Sequence, residues 1–388
     1  MKGALSWPFL RLYMLTLFYF SANSILNVII PLKGESLGAS NTTIGIIMGA
    51  YLFTTMFFRP WAGRMIDKYG PIAILRIILV INGAALILYT FTGLEGYFIA
   101  RMLQGVCTAF FSMALQLGII DSLPDDERSQ GISLYSLCAS MPAVIGPLLA
   151  LGLWQANDMS AFTVAMIAIA VLTGAAGYTA KIDKNDAVSA ANPLGQQPTL
   201  LKSLGQLVAN RHLFKCSLLM LTASLVFGAA TTFIPLYAPQ IKYGNAAVYL
   251  MIQAGMVVLV RFVWRKRMPS DGKWHSSFVI TVMLILAAAA QSVSFSAWGG
   301  ALFFYAGAGL MGVAQALLYP TLTTYLSFVL PQQNRNVLMG LFIAMADLGV
   351  SLGGVLMGPV ADISSYSSMY MICAIICLFM LFFSKERR

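Results

Sequence analysis

Charged side chains are scarce in this chain and account for only 10% of its 388 residues, against about 25% in soluble domains. Hydrophobic residues make up 59% of the chain and the mean hydropathy is +0.79. Too few polar residues remain to cover the water-facing surface of a soluble protein. There are two histidines and five cysteines, and the cysteines lie in or beside apolar runs without metal-ligand spacing. These absences exclude a soluble domain and argue against an enzyme, a metal site or a cofactor.

Long apolar runs recur along the whole chain, and about 20 residues suffice for a helix to cross the roughly 30 Å of hydrocarbon in a bilayer. The sequence therefore predicts an all-α integral membrane protein with about twelve transmembrane helices. The first run resembles a signal peptide, but it continues to Pro31 and is better interpreted as an uncleaved first helix. The predicted spans are 9–31, 44–62, 72–91, 96–120, 130–153, 160–180, 214–237, 246–264, 277–296, 298–328, 337–361 and 367–384.

The net charge of +10 would suit a nucleic-acid-binding protein, but its placement indicates membrane topology instead. Lysine and arginine concentrate in alternate loops, whereas the opposite loops offer little beyond Lys33 and Lys242. This positive-inside pattern predicts a multi-pass protein with both termini in the cytoplasm and no nucleic-acid partner. The basic residues of that side are Arg64, Lys68, Lys181, Lys184, Lys202, Arg211, Lys215, Arg265, Lys266, Arg267, Lys273, Lys385, Arg387 and Arg388.

The chain repeats itself at a period near 200 residues. IIPL at 29–32 corresponds to FIPL at 233–236, and the segment 105–128 aligns without a gap with the segment 312–335. The alignment pairs Gly105 with Gly312, and Arg59 and Arg261 end corresponding helices. Such a duplication is typical of transporters built from six-helix repeats around a central site. The predicted divisions are a bundle at 1–180, a polar cytoplasmic linker at 181–212 with a short helix at 199–208, and a bundle at 213–388.

Polar residues recur at helical spacing on several predicted spans and form stripes. Such stripes must face protein or water within a bilayer, so they are expected to line a cavity. The alternative is contact between helices through small and polar side chains. The candidate substrate-binding residues are Tyr19, Asn23, Asn27, Arg101, Gln104, Gln116, Gln315 and Tyr319.

Arg101 is the most informative member of this set. A guanidinium keeps its proton, and it grips a carboxylate with two parallel hydrogen bonds. Alternative roles are a structural pair with Glu95 or snorkelling to the outer surface. In the second repeat Ala308 stands at the position of Arg101, so the fold does not need an arginine there. We therefore expect Arg101 to bind cargo that carries an acidic group.

Asp347 is the one carboxylate well inside a predicted span. Desolvation favours the protonated form of such a group, so Asp347 is the candidate proton-coupling residue. A structural pair with Arg59, or a contact between helices, is the alternative. Asp121 ends the fourth span and is expected to be a cytoplasmic gate partner for Arg64, Lys68 or Arg128.

The segment RPWAGRMIDKYGP at 59–71, interpreted as the loop after the second span, resembles the conserved cytoplasmic loop of the major facilitator superfamily. RMLQG at 101–105 resembles the Arg-x-x-x-Gly motif of proton-coupled antiporters in that superfamily, and IGP at 145–147 partly resembles their Gly-Pro motif. The resemblance implies two six-helix bundles around a central cavity. The candidate gate residues are Arg59, Gly63, Asp67, Lys68, Gly70, Asp121 and Arg128.

Three long stretches, at 1–27, 92–124 and 319–359, look like the exporters of staphylopine-type opine metallophores. The resemblance implies a carrier in the bacterial cytoplasmic membrane that exports a polycarboxylate, nicotianamine-like molecule by proton antiport with alternating access. The carrier is expected to be a monomer. The alternatives are a multidrug/proton antiporter of the same superfamily, which would carry lipophilic cations, and a membrane enzyme or sensor. The absence of a catalytic cluster argues against a membrane enzyme, and the absence of an extra soluble domain argues against a sensor.

Overall fold

Apolar helices long enough to cross a membrane account for most of the chain. The computed structural model describes residues 3–156, 159–180, 205, 207, 209–264, 269, 271–332 and 335–384. Most of the predicted linker, with its short helix, lies outside these residues. Twelve membrane-spanning helical segments are present in the described part, and each coincides with a predicted span to within a few residues. The expected all-α, twelve-span membrane architecture is therefore confirmed.

The first six spans are formed by seven helices, because the fifth span is broken. Pro142 has no backbone N–H to continue the helix, so the α-helix ends at Ser140 and a second begins at Pro142. The carbonyl of Pro142 accepts a hydrogen bond of 2.7 Å from Ser24. The helices are α1 (Trp7–Ser36), α2 (Asn41–Tyr69), α3 (Pro71–Phe91), α4 (Leu94–Ser122), α5 (Asp125–Ser140), α6 (Pro142–Gln155) and α7 (Met159–Tyr178).

The remaining six spans begin after Asn210, whose side chain accepts hydrogen bonds from the N–H groups of His212 and Leu213 and caps the next helix. A short 3₁₀ turn, Ala238–Gln240, follows that helix. The helices are α8 (Arg211–Tyr237), α9 (Ala246–Trp264), α10 (Ser276–Gly299), α11 (Ala301–Val329), α12 (Arg335–Ile363), α13 (Tyr366–Phe379) and α14 (Leu381–Ser384).

The interpretation of 59–71 as a loop was wrong. Helix α2 continues to Tyr69 and α3 begins at Pro71, so Gly70 alone connects them. Gly70 has a φ of 83°, which glycine adopts without the steric cost that a Cβ atom brings. Pro71 then supplies a favourable first residue for α3, because the first turn needs no N–H donor.

The described chain forms two compact units, one from residues in 1–29 and 50–197 and the other from residues in 30–49 and 198–388. In the first unit α3 packs against α4 and α7, and in the second α8 packs along α12 and α10 packs along α11. Helices α1 and α2 each pass through both units. The predicted division into bundles at 1–180 and 213–388 stays a prediction.

Small residues bring helices of the second unit into backbone contact. A Cβ atom on Gly349 or Gly353 would overlap the carbonyl oxygens of Leu221 and Leu225 on α8. This small-xxx-small spacing lets α12 approach α8 closely, as is common between membrane helices. At the far end of α12, the Asp362 carboxylate accepts backbone hydrogen bonds of 2.8 and 2.9 Å at the start of α2.

Candidate functional site

The side chain of Arg101 lies fully buried on α4 and is held by two asparagines of α1. Its Nη1 donates to Asn23 Oδ1 at 2.6 Å and its Nη2 donates to Asn27 Oδ1 at 2.7 Å. Because Asn23 and Asn27 are one helical turn apart, both face the same partner. The structure thus brings together three of the residues that the sequence proposed for substrate binding.

The alternative roles of Arg101 do not fit this position. Snorkelling would place the guanidinium at the surface, but Arg101 has no solvent exposure. Glu95 is exposed in the first turn of α4, six residues before Arg101, and this spacing does not place two side chains side by side on one face of a helix. Arg101 is instead turned towards Asn23 and Asn27 of α1.

Tyr51 of α2 is a member of this group that the sequence analysis missed. The guanidinium carbon of Arg101 lies 5.2 Å from the centroid of the Tyr51 ring, within the range of a cation–π contact. The Tyr51 hydroxyl is hydrogen-bonded to Thr108 Oγ1 at 3.0 Å, and the Tyr19 hydroxyl reaches the same atom at 2.9 Å. Tyr19 in turn stacks on Phe111, with 3.8 Å between ring centroids. Together these contacts tie α1, α2 and α4 around the arginine.

Asn23, Asn27 and Tyr51 contact the guanidinium of Arg101 through neutral groups. Amide oxygens accept hydrogen bonds from a guanidinium, and an aromatic face attracts it. Burial lowers the effective dielectric around the guanidinium charge and strengthens its attraction for an anion. The Arg101 cluster, which we define as Arg101 with Asn23, Asn27 and Tyr51, is therefore suited to bind a carboxylate.

Two predicted members of the site lie elsewhere in the first unit. Gln104 is buried, and its Oε1 accepts a hydrogen bond of 2.7 Å from the Tyr89 hydroxyl of α3. Gln116 is exposed and lies 15 residues beyond Arg101, about 22 Å along the helix axis. The structure thus separates Gln116 from Arg101 and ties Gln104 to a neighbouring helix.

A pair of glutamines occupies the second unit. Gln253 Nε2 of α9 donates to Gln315 Oε1 of α11 at 3.1 Å. Gln253 is only 7% exposed, and its Oε1 is buried without a hydrogen-bond partner in the described structure. Tyr319 lies one turn beyond Gln315, 5.9 Å from the ring of Phe342. Gln315 and Tyr319 were predicted from the sequence, whereas Gln253 was not.

The repeat contains the signal that could have identified Tyr51 and Gln253. Tyr51 lies eight residues before Arg59 and Gln253 eight residues before Arg261, so the two are equivalent in the duplication. Thr108 and Gln315 are likewise equivalent in the alignment of Gly105 with Gly312. The hydrogen bond from Tyr51 to Thr108 and the one from Gln253 to Gln315 therefore occupy the same place in the two repeats.

Asp347 is half-buried near the middle of α12. Its surroundings include Gly349, which packs on α8 two residues further along. In the described part of the chain, no group of three or more histidine, cysteine or acidic residues could hold a metal ion.

The candidate gate residues lie in the second half of α2, at Gly70, near the end of α4 and on α5. Lys68 lies 5.0 Å from the ring of Tyr69, and Arg128 Nε donates to the carbonyl of Leu123 at 3.2 Å. Arg59 is half-buried one residue before Pro60, and a Cβ atom on Gly63 would contact Met113 of α4. The side chains of Asp67 and Asp121 lie outside the described residues.

Similarity to known proteins is extensive. The chain is 52% identical to the staphylopine export protein of Staphylococcus aureus over 99% of its length and 97% of that protein. It is 28% identical to Multidrug resistance protein 2 of Bacillus subtilis, over 28% of this chain and 27% of that protein. The crystal structure of a point mutant of the nucleoside transporter NupG superposes with a TM-score of 0.75 at 14% identity, covering 96% of this chain and 98% of that chain.

The family follows from these findings. The model for the Major Facilitator Superfamily matches residues 12–269 and 273–388, which is nearly the whole chain. The twelve membrane helices and the likeness to NupG agree with its fold. The protein is therefore a multi-pass membrane transporter rather than an enzyme, and it belongs to the Major Facilitator Superfamily.

Proposed function

We propose that this transporter exports an opine-type metallophore similar to staphylopine across the bacterial cytoplasmic membrane. The main support is the staphylopine export protein, which is 52% identical over nearly the full length of both chains. Similarity of this extent covers the α1, α2 and α4 segments that form the Arg101 cluster. The exported cargo is then a small molecule with several carboxylates and amines.

The observation that carries the proposal is the buried Arg101 cluster. One carboxylate of the cargo binds to the guanidinium, which pairs with carboxylates in a planar, two-bonded geometry. Asn23 and Asn27 are positioning residues, because their amide oxygens hold Nη1 and Nη2 in place. Tyr51 supports the guanidinium from the ring side.

The glutamine pair of the second unit supplies a different kind of contact. The buried Gln253 Oε1 is an acceptor, and it suits a protonated amine or an imidazole N–H of the cargo. Gln315 orients Gln253 through their mutual hydrogen bond. Acid recognition by Arg101 and amine recognition by Gln253 together match a zwitterionic opine.

Proton entry is proposed to drive export by alternating access of the two predicted bundles, 1–180 and 213–388. Asp347 is the proposed proton carrier because it is an acidic residue within a membrane helix. The positive-inside pattern supports a cytoplasmic location of both termini and of the gate residues around Gly70. We further propose that the carrier acts as a monomer.

The direct test is a gene deletion in the native host. Mass spectrometry of cell extract and medium should show an opine that accumulates inside the mutant and disappears from outside. Complementation with the wild-type gene should restore the extracellular opine, whereas the Arg101→Met variant at equal membrane abundance should not. Unchanged export of every opine in the deletion strain would refute the proposal.

A multidrug/proton antiporter is the second candidate, and the partial similarity to Multidrug resistance protein 2 favours it. Such a carrier binds and exports lipophilic cations, and the positive charge of a buried arginine repels them. Ethidium efflux from the deletion strain, with and without the plasmid-borne gene, distinguishes the two functions. Gene-dependent ethidium efflux without gene-dependent opine export would support the multidrug function.

Proton coupling has its own test, since export and coupling are separable. In proteoliposomes, an imposed pH gradient should drive opine movement by the wild type but not by the Asp347→Asn variant. The variant should still exchange labelled for unlabelled opine, because exchange does not require net proton transfer. A pH-driven rate in the variant equal to that of wild type would exclude Asp347 as the coupling residue.

A further inference from the structure

A groove of about 690 Å³ runs between α3 and α7 on the outer face of the first unit. Its floor is made of small residues, with Gly83 and Ala84 on α3 and Ala170 and Gly174 on α7. A Cβ atom on Gly83 would meet the Ala170 side chain at 3.8 Å, and one on Gly174 would meet no atom within 4 Å. The two helices therefore leave a groove between them, which larger side chains at these positions would have filled.

The rim of the groove is apolar and exposed. Val80 of α3 is 74% exposed and Val171 of α7 is 62% exposed. Both helices are membrane spans, so these side chains face hydrocarbon, where exposed apolar surface is expected. A groove of this composition is matched in polarity by an acyl chain.

One end of the groove carries a charge. Arg76 is exposed on α3 and lies five residues after Pro71, about 8 Å along the helix axis. Its Nη2 donates to the Tyr178 carbonyl at 3.3 Å, and the guanidinium lies 5.1 Å from the Tyr178 ring. Among the described residues no carboxylate forms an ion pair with Arg76.

An exposed arginine this close to the hydrocarbon is costly unless it meets the headgroup layer. Arginine also binds phosphate through two parallel hydrogen bonds. The helix end that carries Arg76 is the one that the positive-inside pattern assigns to the cytoplasmic leaflet, where basic sites between helices bind anionic headgroups. Charge complementarity therefore favours a lipid phosphate at Arg76 over a helix of a second copy of the chain.

We propose that the α3–α7 groove binds one anionic phospholipid, with its phosphate on Arg76 and an acyl chain between α3 and α7. The bound lipid fills the space above the small residues and completes the surface of the first unit. This inference concerns the lipid-facing side of the protein and is independent of the cargo.

Native mass spectrometry of the full-length protein tests the proposal, with phosphatidylglycerol or phosphatidylcholine added to the detergent-purified carrier. Wild type should retain one phosphatidylglycerol after bulk lipid is stripped, and should retain phosphatidylcholine at least fivefold less. Arg76→Ala should lower phosphatidylglycerol retention at least fivefold. Gly174→Leu should lower retention of both lipids, because its side chain fills the groove.

Matched variants serve as controls. Arg11 is an exposed arginine whose guanidinium lies 5.4 Å from the centroid of the Trp7 ring. Gly152 is a helical glycine, and a Cβ atom at this position would meet no atom within 4 Å. Neither lines the groove, so Arg11→Ala and Gly152→Leu should retain lipid as wild type does. Equal retention in Arg76→Ala and wild type would overturn the proposal. If the wild type were a dimer and Gly174→Leu made it monomeric, the groove would bind a second copy of the chain, and the lipid proposal would be overturned. If Gly174→Leu fails to fold, the result for Arg76→Ala decides.

Discussion

The contact between α2 and α4 in the first unit and the contact between α9 and α11 in the second share their backbone packing and differ in their polar chemistry. A Cβ atom on Gly105 would overlap the carbonyl oxygen of Tyr51, and one on Gly312 would overlap that of Gln253. Each pair of helices also carries a side-chain hydrogen bond at the equivalent place, 3.0 Å long in one and 3.1 Å in the other.

The polar chemistry is where the two contacts diverge. The first unit adds a fully buried arginine over Tyr51, and the second has the buried Ala308 at the matching position. Duplication preserved the close approach, which any pair of crossing helices needs, and left the side chains around it free to differ. The difference teaches that packing and recognition can be separated within the same helix contact.

The largest expected effect comes from removing the charge that distinguishes the first contact. Arg101→Met keeps the approximate shape of the side chain and loses both charge-assisted hydrogen bonds to a bound carboxylate, about 1.5–3 kcal/mol each. Opine export by proteoliposomes should fall about 100-fold or more. Arg101→Lys should retain part of the activity, because it keeps the charge and loses the two-bonded geometry.

The control for this prediction is Arg11→Met, which removes an exposed arginine of the same unit. It should leave the export rate unchanged. Wild-type export by Arg101→Met would mean that the arginine belongs to the architecture and that the two contacts differ for no functional reason.

The shared feature is tested by giving each contact a methyl group that it cannot accommodate. Gly105→Ala and Gly312→Ala should each lower the free energy of unfolding by about 1–3 kcal/mol, since overpacking forces the backbones apart. Thermal unfolding in detergent measures both variants. Gly309→Ala is the control, because a Cβ atom there meets nothing within 4 Å and alanine is the better helix former. Sensitivity at only one of the two contacts would break the proposed equivalence.

A smaller effect is expected in the second contact. Gln253→Leu removes a neutral hydrogen bond to the cargo, worth about 1 kcal/mol, so the KM for the opine should rise about fivefold. The unfolding temperature should not fall, because a buried amide oxygen without a donor is also removed. A lower unfolding temperature with an unchanged KM would assign Gln253 to helix packing alone.

The smallest effect should come from Tyr51→Phe, which keeps the ring below Arg101 and removes the hydroxyl bonded to Thr108. Export should fall about two- to threefold. Tyr51→Leu also removes the cation–π contact, worth about 0.5–2 kcal/mol, and should reduce export further. Equal rates in the two variants would show that the aromatic face does not hold the arginine.

Sequence alone determined the spans and the internal repeat of this protein. Apolar length defines a membrane helix because hydrocarbon offers no partners for backbone groups, so twelve spans could be read from hydropathy. The pairing of Gly105 with Gly312 followed from an ungapped alignment, and both glycines lie in equivalent close contacts. The positions of Asn23, Asn27 and Arg101 on polar faces followed from helical periodicity.

Only the tertiary structure decided which polar faces meet. Periodicity places a residue on one side of its own helix, but the partner depends on where two helices cross and at what height, which packing determines. Arg101 thus meets Asn23, Asn27 and Tyr51, while Gln104 on the same helix turns to Tyr89. The break at Pro142 and the continuation of α2 to Tyr69 likewise depend on local hydrogen bonding that hydropathy does not register. For the same reason the groove beside Arg76 could be recognised only from the packed α3 and α7.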